Sequence, residues 1–142
     1  MRHTAHTLDY GLARVLLVDD DPTSRLTLKT VLEAGGYTVE AAASAAEAVA
    51  KLEEEEYELV LSDLQMESPT AGLKVLAHAR MMDYKPATAL ITTYQNTRPS
   101  MDYQRSVLIK PEAIPELLGK VADLISQRAT RRLERELRLA GV

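Results

Sequence analysis

The sequence predicts an α/β fold in which five parallel strands form one doubly wound sheet with helices on both faces. Short apolar runs alternate with amphipathic segments along the chain, an order typical of parallel sheets with right-handed crossovers. All six aromatic residues are tyrosine, so the core must be mainly aliphatic, as it is in sheets covered on both faces. The fold class therefore follows from the alternation of elements and from the aliphatic composition.

The first strand and the first helix have clear boundaries. Residues 14–19 form an apolar run that is too short for a helix and contains β-branched valines, which predicts a buried strand. Asp21 and Pro22 then provide the N-cap and the first residue of a helix. Leu26 is expected on the apolar side of this helix, and Gly35, followed by a second glycine, ends it.

The next two strands and helices continue the alternation. Residues 37–42 predict the second strand, and a capping box from Ser44 to Glu47 opens the second helix. Residues 59–63 repeat the pattern of the first strand, since their apolar residues end in an aspartate. A third helix is expected over residues 72–82.

The carboxyl-terminal part predicts two further strands and one long helix. Residues 88–92 and 107–110 are short apolar runs, which predict the fourth and fifth strands. The segment 94–105 between them contains Pro99 and has weak periodicity, so the fourth helix should be short or irregular. From Pro115 onward, a strong amphipathic pattern predicts an extended C-terminal helix.

A length of 142 residues suits a single domain. We divide the chain into a disordered leader at 1–13, the domain proper at 14–126, and a helical extension or linker at 127–142. The extension is basic, because residues 127–138 hold five arginines and two glutamates, whereas the whole chain has a net charge of −4.

Composition also excludes several classes of function. The chain has no cysteine, which rules out disulfide scaffolds, thiolate metal sites and cysteine nucleophiles. No apolar run has the length of a signal peptide or a membrane span, so we expect a cytoplasmic protein without membrane contact. The negative net charge gives no reason to expect direct binding of nucleic acid.

Three aspartates are expected to converge at the carboxyl ends of neighbouring strands. Asp19 and Asp20 follow the first strand and Asp63 ends the third, and ligands of parallel sheets bind at this edge. Carboxylates brought together in this way repel one another unless a cation sits among them. Aspartate oxygens without histidine or cysteine suit Mg²⁺, so the sequence predicts a magnesium site.

The same edge of the sheet carries groups suited to phosphoryl chemistry. An aspartate such as Asp63 can attack phosphorus and form an aspartyl phosphate. Transfer then needs a metal, a fixed cation, and a hydroxyl donor for the oxygens of the transferred group. Lys110 and Thr92, at the ends of the fifth and fourth predicted strands, supply the last two.

Four stretches of the sequence carry a resemblance to a known family. They read Val-Leu-Leu-Val-Asp19-Asp20-Asp21-Pro, Leu-Val-Leu-Ser-Asp63-Leu-Gln-Met, Leu-Ile-Thr92-Thr93 and Ile-Lys110-Pro111. In this order and spacing they resemble the receiver domain of bacterial two-component response regulators, the CheY-like superfamily. The resemblance extends over residues 14–125 and implies a flavodoxin-like (βα)5 fold.

The resemblance implies a role for each residue at the site. Asp63 would accept the phosphoryl group, and the acidic pair after the first strand would bind Mg²⁺ with it, joined by the backbone carbonyl of Gln65. Thr92 would close on the phosphoryl group after transfer. Lys110 would pair with the phosphoryl oxygens.

The resemblance also implies partners. The donor would be a sensor histidine kinase or a histidine phosphotransfer protein. The phosphorylated domain would switch its contacts with a downstream protein effector, or with a second copy in a homodimer. Because such a domain catalyses only its own phosphorylation and dephosphorylation, we do not expect an enzyme in the usual sense.

The sequence departs from the usual receiver pattern in four respects. The loop after Asp63 is one residue longer, and Glu67 stands where a proline is common. The stretch from Thr92 to Lys110 is several residues short. Val107 replaces an aromatic residue that usually takes part in the switch, so the route from phosphorylation to partner binding should differ.

Two alternative functions stay open. Asp19, Asp21 and Thr23 also satisfy the Asp-x-Asp-x-Thr pattern of haloacid-dehalogenase-like phosphatases, in which Asp19 would be the nucleophile and Asp21 the general acid. That interpretation leaves Asp63 without a role. A receiver-like module that binds partners without being phosphorylated would keep the fold and lose the chemistry.

Overall fold

A computed structural model describes residues 13–64, 66–91, 107–109 and 114–141, which contain five strands and four helices in alternation. The strands are β1 (Arg14–Val18), β2 (Thr38–Ala42), β3 (Leu59–Asp63), β4 (Ala87–Ile91) and β5 (Val107–Ile109). The helices are α1 (Pro22–Ala34), α2 (Ala45–Glu54), α3 (Ala71–Arg80) and α4 (Ile114–Leu139), the C-terminal helix. Most boundaries lie within two residues of those predicted.

The strands form one parallel sheet in the order β2-β1-β3-β4-β5. The parallel α/β architecture predicted from the sequence is thereby confirmed. In a doubly wound sheet, ligands bind in the crevice where the strand order reverses, which here lies between β1 and β3. The register pairs Val18 with Ser62, so the residues that follow β1 lie beside the end of β3.

Two apolar clusters hold the sheet between its helices. Because side chains alternate along a strand, Val15 and Leu17 face one cluster while Leu16 and Val18 face the other. The first cluster includes side chains of α1 and the C-terminal helix, and the second includes side chains of α2 and α3. The core is mainly aliphatic, as expected from a sequence without phenylalanine or tryptophan.

Local capping signals account for the starts of two helices. The Asp21 carboxylate accepts a hydrogen bond from the Ser24 amide at 2.8 Å, and the Ser44 hydroxyl accepts one from the Glu47 amide at 3.1 Å. The Glu47 carboxylate reaches back to the Ala43 amide at 2.8 Å. Both N-caps are therefore those predicted from the sequence.

Some expectations differ from the structure or lie outside its described ranges. Leu26 was expected on the apolar side of α1, but it is 65% exposed and Leu28 is buried instead. The short or irregular helix predicted within 94–105 lies outside the described residues, as does nearly all of the predicted leader. Within the described ranges, none of the helices is both long and apolar enough to cross a membrane.

The C-terminal helix is attached to the domain beyond the boundary predicted at residue 126. Arg128 is buried and donates hydrogen bonds to the carbonyls of Lys85 at 2.9 Å and Tyr84 at 2.6 Å. Arg132 donates a further one to Tyr84 at 3.1 Å. Burial lowers the pKa of Arg128. The basic segment is thus partly an anchor to the α3–β4 turn, which periodicity alone could not show.

Candidate metal centre

Three carboxylates converge at the carboxyl edge of the sheet, between β1 and β3. Asp19 and Asp20 follow β1, and Asp63 is the last residue of β3. One oxygen from each lies within 4.8 Å of the others. Asp19 is buried, Asp63 is half-buried and Asp20 is exposed, so the cluster sits at the surface with its deepest ligand on the first strand.

Asp19 is held in place through its backbone and its side chain. Its amide donates to the Ala42 carbonyl at 3.0 Å, and its carbonyl accepts from the Arg25 guanidinium at 2.8 Å. One carboxylate oxygen accepts from the Asp21 amide at 3.0 Å. Among the described residues no donor binds its second oxygen, which is therefore placed to serve as a metal ligand.

Asp21 has a different task from its two neighbours. Its carboxylate caps α1, and Asp21 is not a member of the three-carboxylate cluster. The side chain is thus committed to the helix N-terminus, where a negative charge is favourable. Of three consecutive aspartates, the structure assigns two to the cluster and one to the helix.

Gly72 fixes the backbone next to Asp63. A Cβ atom at this position would overlap the Asp63 carbonyl oxygen and would lie 3.1 Å from the Leu64 carbonyl oxygen. The first turn of α3 therefore packs directly against the end of β3. The sequence placed Gly72 in the third helix but did not indicate this contact.

Glu67 ties the loop after Asp63 to the start of α2. Its carboxylate accepts a hydrogen bond from the Ala45 amide at 3.1 Å, a position where the free amides of a helix favour an anion. The sequence singled out Glu67 only as a departure from a common proline. Its partner could not be foreseen because Ala45 lies 22 residues away.

The remaining predicted site residues lie outside the described residues. These are Gln65, Thr92 and Lys110. Ile91 and Ile109, which precede Thr92 and Lys110 in the sequence, end β4 and β5 at the carboxyl edge of the sheet.

The cluster has the chemistry of a site for a hard divalent cation. Two unit charges about 5 Å apart repel by roughly 3 kcal/mol at an effective dielectric constant of ~20, and three carboxylates make three such pairs. A divalent cation among them adds three attractive interactions at shorter distance, which outweigh this repulsion. The donor set contains only oxygen, which fits Mg²⁺.

Mg²⁺ should stabilise the wild-type protein against unfolding, and Asp19→Asn should reduce this effect. A ligand that binds only the folded state at 100 times its Kd adds about 2.7 kcal/mol. A tenfold loss of affinity would remove about 1.4 kcal/mol of it. Thermal unfolding of the wild type and of Asp19→Asn, each with and without Mg²⁺, measures the stabilisation and its loss. Asp21→Asn is the matched control, because it changes a neighbouring carboxylate outside the cluster, and an equal loss in this control would contradict the assignment.

Comparisons with known proteins give a consistent result. Residues 15–122 match the family described as response regulator receiver domain. The gliding motility regulatory protein of Myxococcus xanthus is 40% identical over 122 residues, which cover 80% of this chain and 15% of that protein. The transcriptional regulatory protein TrcR of Mycobacterium tuberculosis is 29% identical over 92% of this chain and 51% of that protein. The chain therefore spans about a seventh of the length of the first relative and about half of the length of the second.

Solved structures with the same fold include two with similar sequences. The response regulator protein TrrA of Thermotoga maritima, solved in complex with Mg(2+)-BeF, has a TM-score of 0.71 and 30% identity, with 80% of this chain and 99% of that one covered. A CheY-like receiver domain protein of Methanospirillum hungatei has a TM-score of 0.74 and 29% identity, with 84% and 98% covered.

Proposed function

The chain belongs to the response regulator receiver domain family of two-component systems, and from this premise we propose that Asp63 accepts a phosphoryl group beside a magnesium ion held by Asp19, Asp20 and Asp63. The convergence of these three carboxylates within 4.8 Å is the observation that carries the proposal. The donor would be a sensor histidine kinase or a histidine phosphotransfer protein. The cytoplasmic location predicted from the sequence stays a prediction.

The residues of the chain have distinct tasks in this reaction. A carboxylate oxygen of Asp63 forms the new bond to phosphorus while the bond between phosphorus and the donor's leaving group breaks. Asp19 and Asp20 would hold the ion from the neighbouring strand. A bound Mg²⁺ would neutralise charge on the phosphoryl oxygens during transfer.

The roles of the other site residues are carried over from the family resemblance. Lys110 pairs with the phosphoryl oxygens, and Thr92 closes on them after transfer. The backbone carbonyl of Gln65 would be a further metal ligand. The added charge of close to −2 then alters contacts with a downstream protein effector.

The hydrolase alternative requires Asp19 to attack phosphorus and Asp21 to act as general acid. Asp19 is only 3% exposed and one of its oxygens accepts the Asp21 amide. The Asp21 carboxylate caps α1. Both side chains are thus engaged in ways that disfavour these roles, and the half-buried Asp63 is the better nucleophile. The intact carboxylate cluster likewise disfavours a binding module that is never phosphorylated.

Incubation with acetyl phosphate and Mg²⁺ tests the proposal directly. Intact mass should show one added phosphoryl group that depends on Mg²⁺, and peptide mapping should place it on Asp63. Omission of Mg²⁺ serves as the control. Modification of Asp19 would support the hydrolase alternative, and no modification at all would support the binding module.

A further inference from the structure

The loop that follows Asp63 is held at both of its ends. At its start, the Leu64 amide donates to the Ile91 carbonyl at 2.9 Å, which joins the loop to the end of β4. At its other end, Gly72 packs directly against the Asp63 carbonyl oxygen. Residues 66–70 lie between these two fixed points, so their position depends on the contacts that they make themselves.

Glu67 makes the polar contact that joins this part of the loop to a neighbouring element. Its carboxylate accepts a hydrogen bond from the Ala45 amide at 3.1 Å. Between described residues, this is the one hydrogen bond from residues 66–70 to any element other than α3. Met66 and Ala45 both pack against the second apolar cluster. The loop and the start of α2 therefore form a junction, with apolar packing inside and the Glu67 bond at the surface.

The junction spans the carboxyl end of β1. In the sheet, β1 lies between β2, which leads into α2, and β3, which leads into the loop. A bond from Glu67 to the start of α2 therefore passes beside the strand end that carries Asp19 and Asp20. The Glu67 carboxylate is not a member of the three-carboxylate cluster, because it is directed at a helix amide. It is thus placed to hold the surroundings of the cluster in position.

We propose that Glu67 is a positioning residue for the magnesium site, because it fixes the loop after Asp63 against α2 before the ion binds. This inference rests on the proposed function. Gln65, whose backbone carbonyl is proposed as a metal ligand, lies two residues before Glu67. A ligand that is already held in its bound position loses less conformational entropy when the ion binds. Loss of the Glu67 bond should therefore weaken Mg²⁺ binding, whereas phosphorylation of Asp63 at saturating Mg²⁺ should change little.

Calorimetric titration of the unphosphorylated protein with Mg²⁺ tests this role. Glu67→Ala removes the acceptor and should weaken Mg²⁺ binding by about tenfold, the lower end of what the loss of outer supports costs a metal site. Glu67→Gln keeps an oxygen that can accept from the Ala45 amide, so its affinity should stay within about threefold of the wild type. Two equally weak variants would mean that Glu67 acts through its charge, which overturns the positioning role. Unchanged binding by Glu67→Ala overturns it as well.

Glu47→Ala is the matched control. Glu47 is also exposed, and its carboxylate accepts from the Ala43 amide at 2.8 Å at the same helix start. None of its hydrogen bonds between described residues reaches the loop after Asp63. The substitution removes the same charge and the same kind of cap from α2, yet Mg²⁺ binding should stay as in the wild type. A loss as large as that of Glu67→Ala would mean that capping of α2 explains the effect, and the proposal would be wrong.

Hydrogen exchange without Mg²⁺ measures the junction independently of the ion. The Ala45 amide should exchange faster in Glu67→Ala than in the wild type, because it loses its acceptor, and the Ala43 amide should do so in Glu47→Ala. Unchanged exchange of the strand amides shows that both variants are folded. An Ala45 amide that exchanges as in the wild type overturns the inference.

The titration also separates this inference from the proposed function. A wild-type protein that binds no Mg²⁺ would overturn the proposed metal site and, with it, the positioning role. Wild-type binding together with an unaffected Glu67→Ala protein would overturn the positioning role alone.

Discussion

Asp63→Asn should reduce phosphorylation by acetyl phosphate to background while leaving the protein folded. The substitution keeps the size of the side chain but replaces a carboxylate nucleophile with a neutral amide. It also removes one of the three carboxylates in the cluster, so the stabilisation by Mg²⁺ should fall as well. Intact mass measures the first effect and thermal unfolding the second.

Asp83→Asn is a suitable control for this substitution. Asp83 is exposed in the turn between α3 and β4, and it does not belong to the cluster. The control should accept the phosphoryl group as the wild type does. A phosphoryl group that reappears on Asp19 in Asp63→Asn would show that the first-strand aspartate can act as nucleophile, contrary to the role proposed for it.

Gly72→Ala should destabilise the protein by about 3 kcal/mol, within the range of overpacking in a closely packed core. Helix propensity alone would predict stabilisation by up to about 1 kcal/mol, because Gly72 lies within α3. The new Cβ would overlap the Asp63 carbonyl oxygen, and this backbone cannot move without shifting the end of β3. The free energy of unfolding from urea denaturation measures the effect.

Gly119→Ala is the matched control for this prediction. It introduces the same methyl group into a helix, at a position where nothing lies within 4 Å. It should stabilise the chain slightly, because alanine favours a helix more than glycine does. If Gly72→Ala is as stable as Gly119→Ala, the backbone at Asp63 and Leu64 can shift to accept the methyl group at little cost, and the prediction is wrong. A folded Gly72→Ala protein should in addition phosphorylate more slowly, because Asp63 is displaced.

Much of the fold could be predicted because it depends on short-range patterns. Apolar runs of four or five residues are recognisable as strands wherever both faces are buried, and Asp21 and Ser44 cap helices through bonds to residues three positions away. Leu26 shows where the prediction was wrong. Leu26 is five and six residues before Val31 and Leu32, whereas Leu28 is three and four residues before them, which is the spacing of one helix face. Leu28 is accordingly the buried residue.

The candidate site was predicted only in part, for a related reason. Its carboxylates could be named because parallel strands bring their carboxyl ends to one edge. The supports around them were missed, since Arg25 contacts the Asp19 carbonyl and Glu67 contacts the Ala45 amide without any local signature. Gly72 was missed as well, because a glycine in a helix has no pattern that reveals a close backbone neighbour.

The sequence by itself determined the parallel α/β class, the helix caps and the identity of the aspartates at the strand ends. These features arise from hydrophobic periodicity and from hydrogen bonds between near neighbours in the chain. Only the tertiary structure decided that one oxygen from each of Asp19, Asp20 and Asp63 lies within 4.8 Å of the others. It also decided that Arg128 anchors the C-terminal helix to the α3–β4 turn. Contacts of this kind depend on how separate elements pack, because only packing brings residues that are distant in the chain within hydrogen-bonding reach.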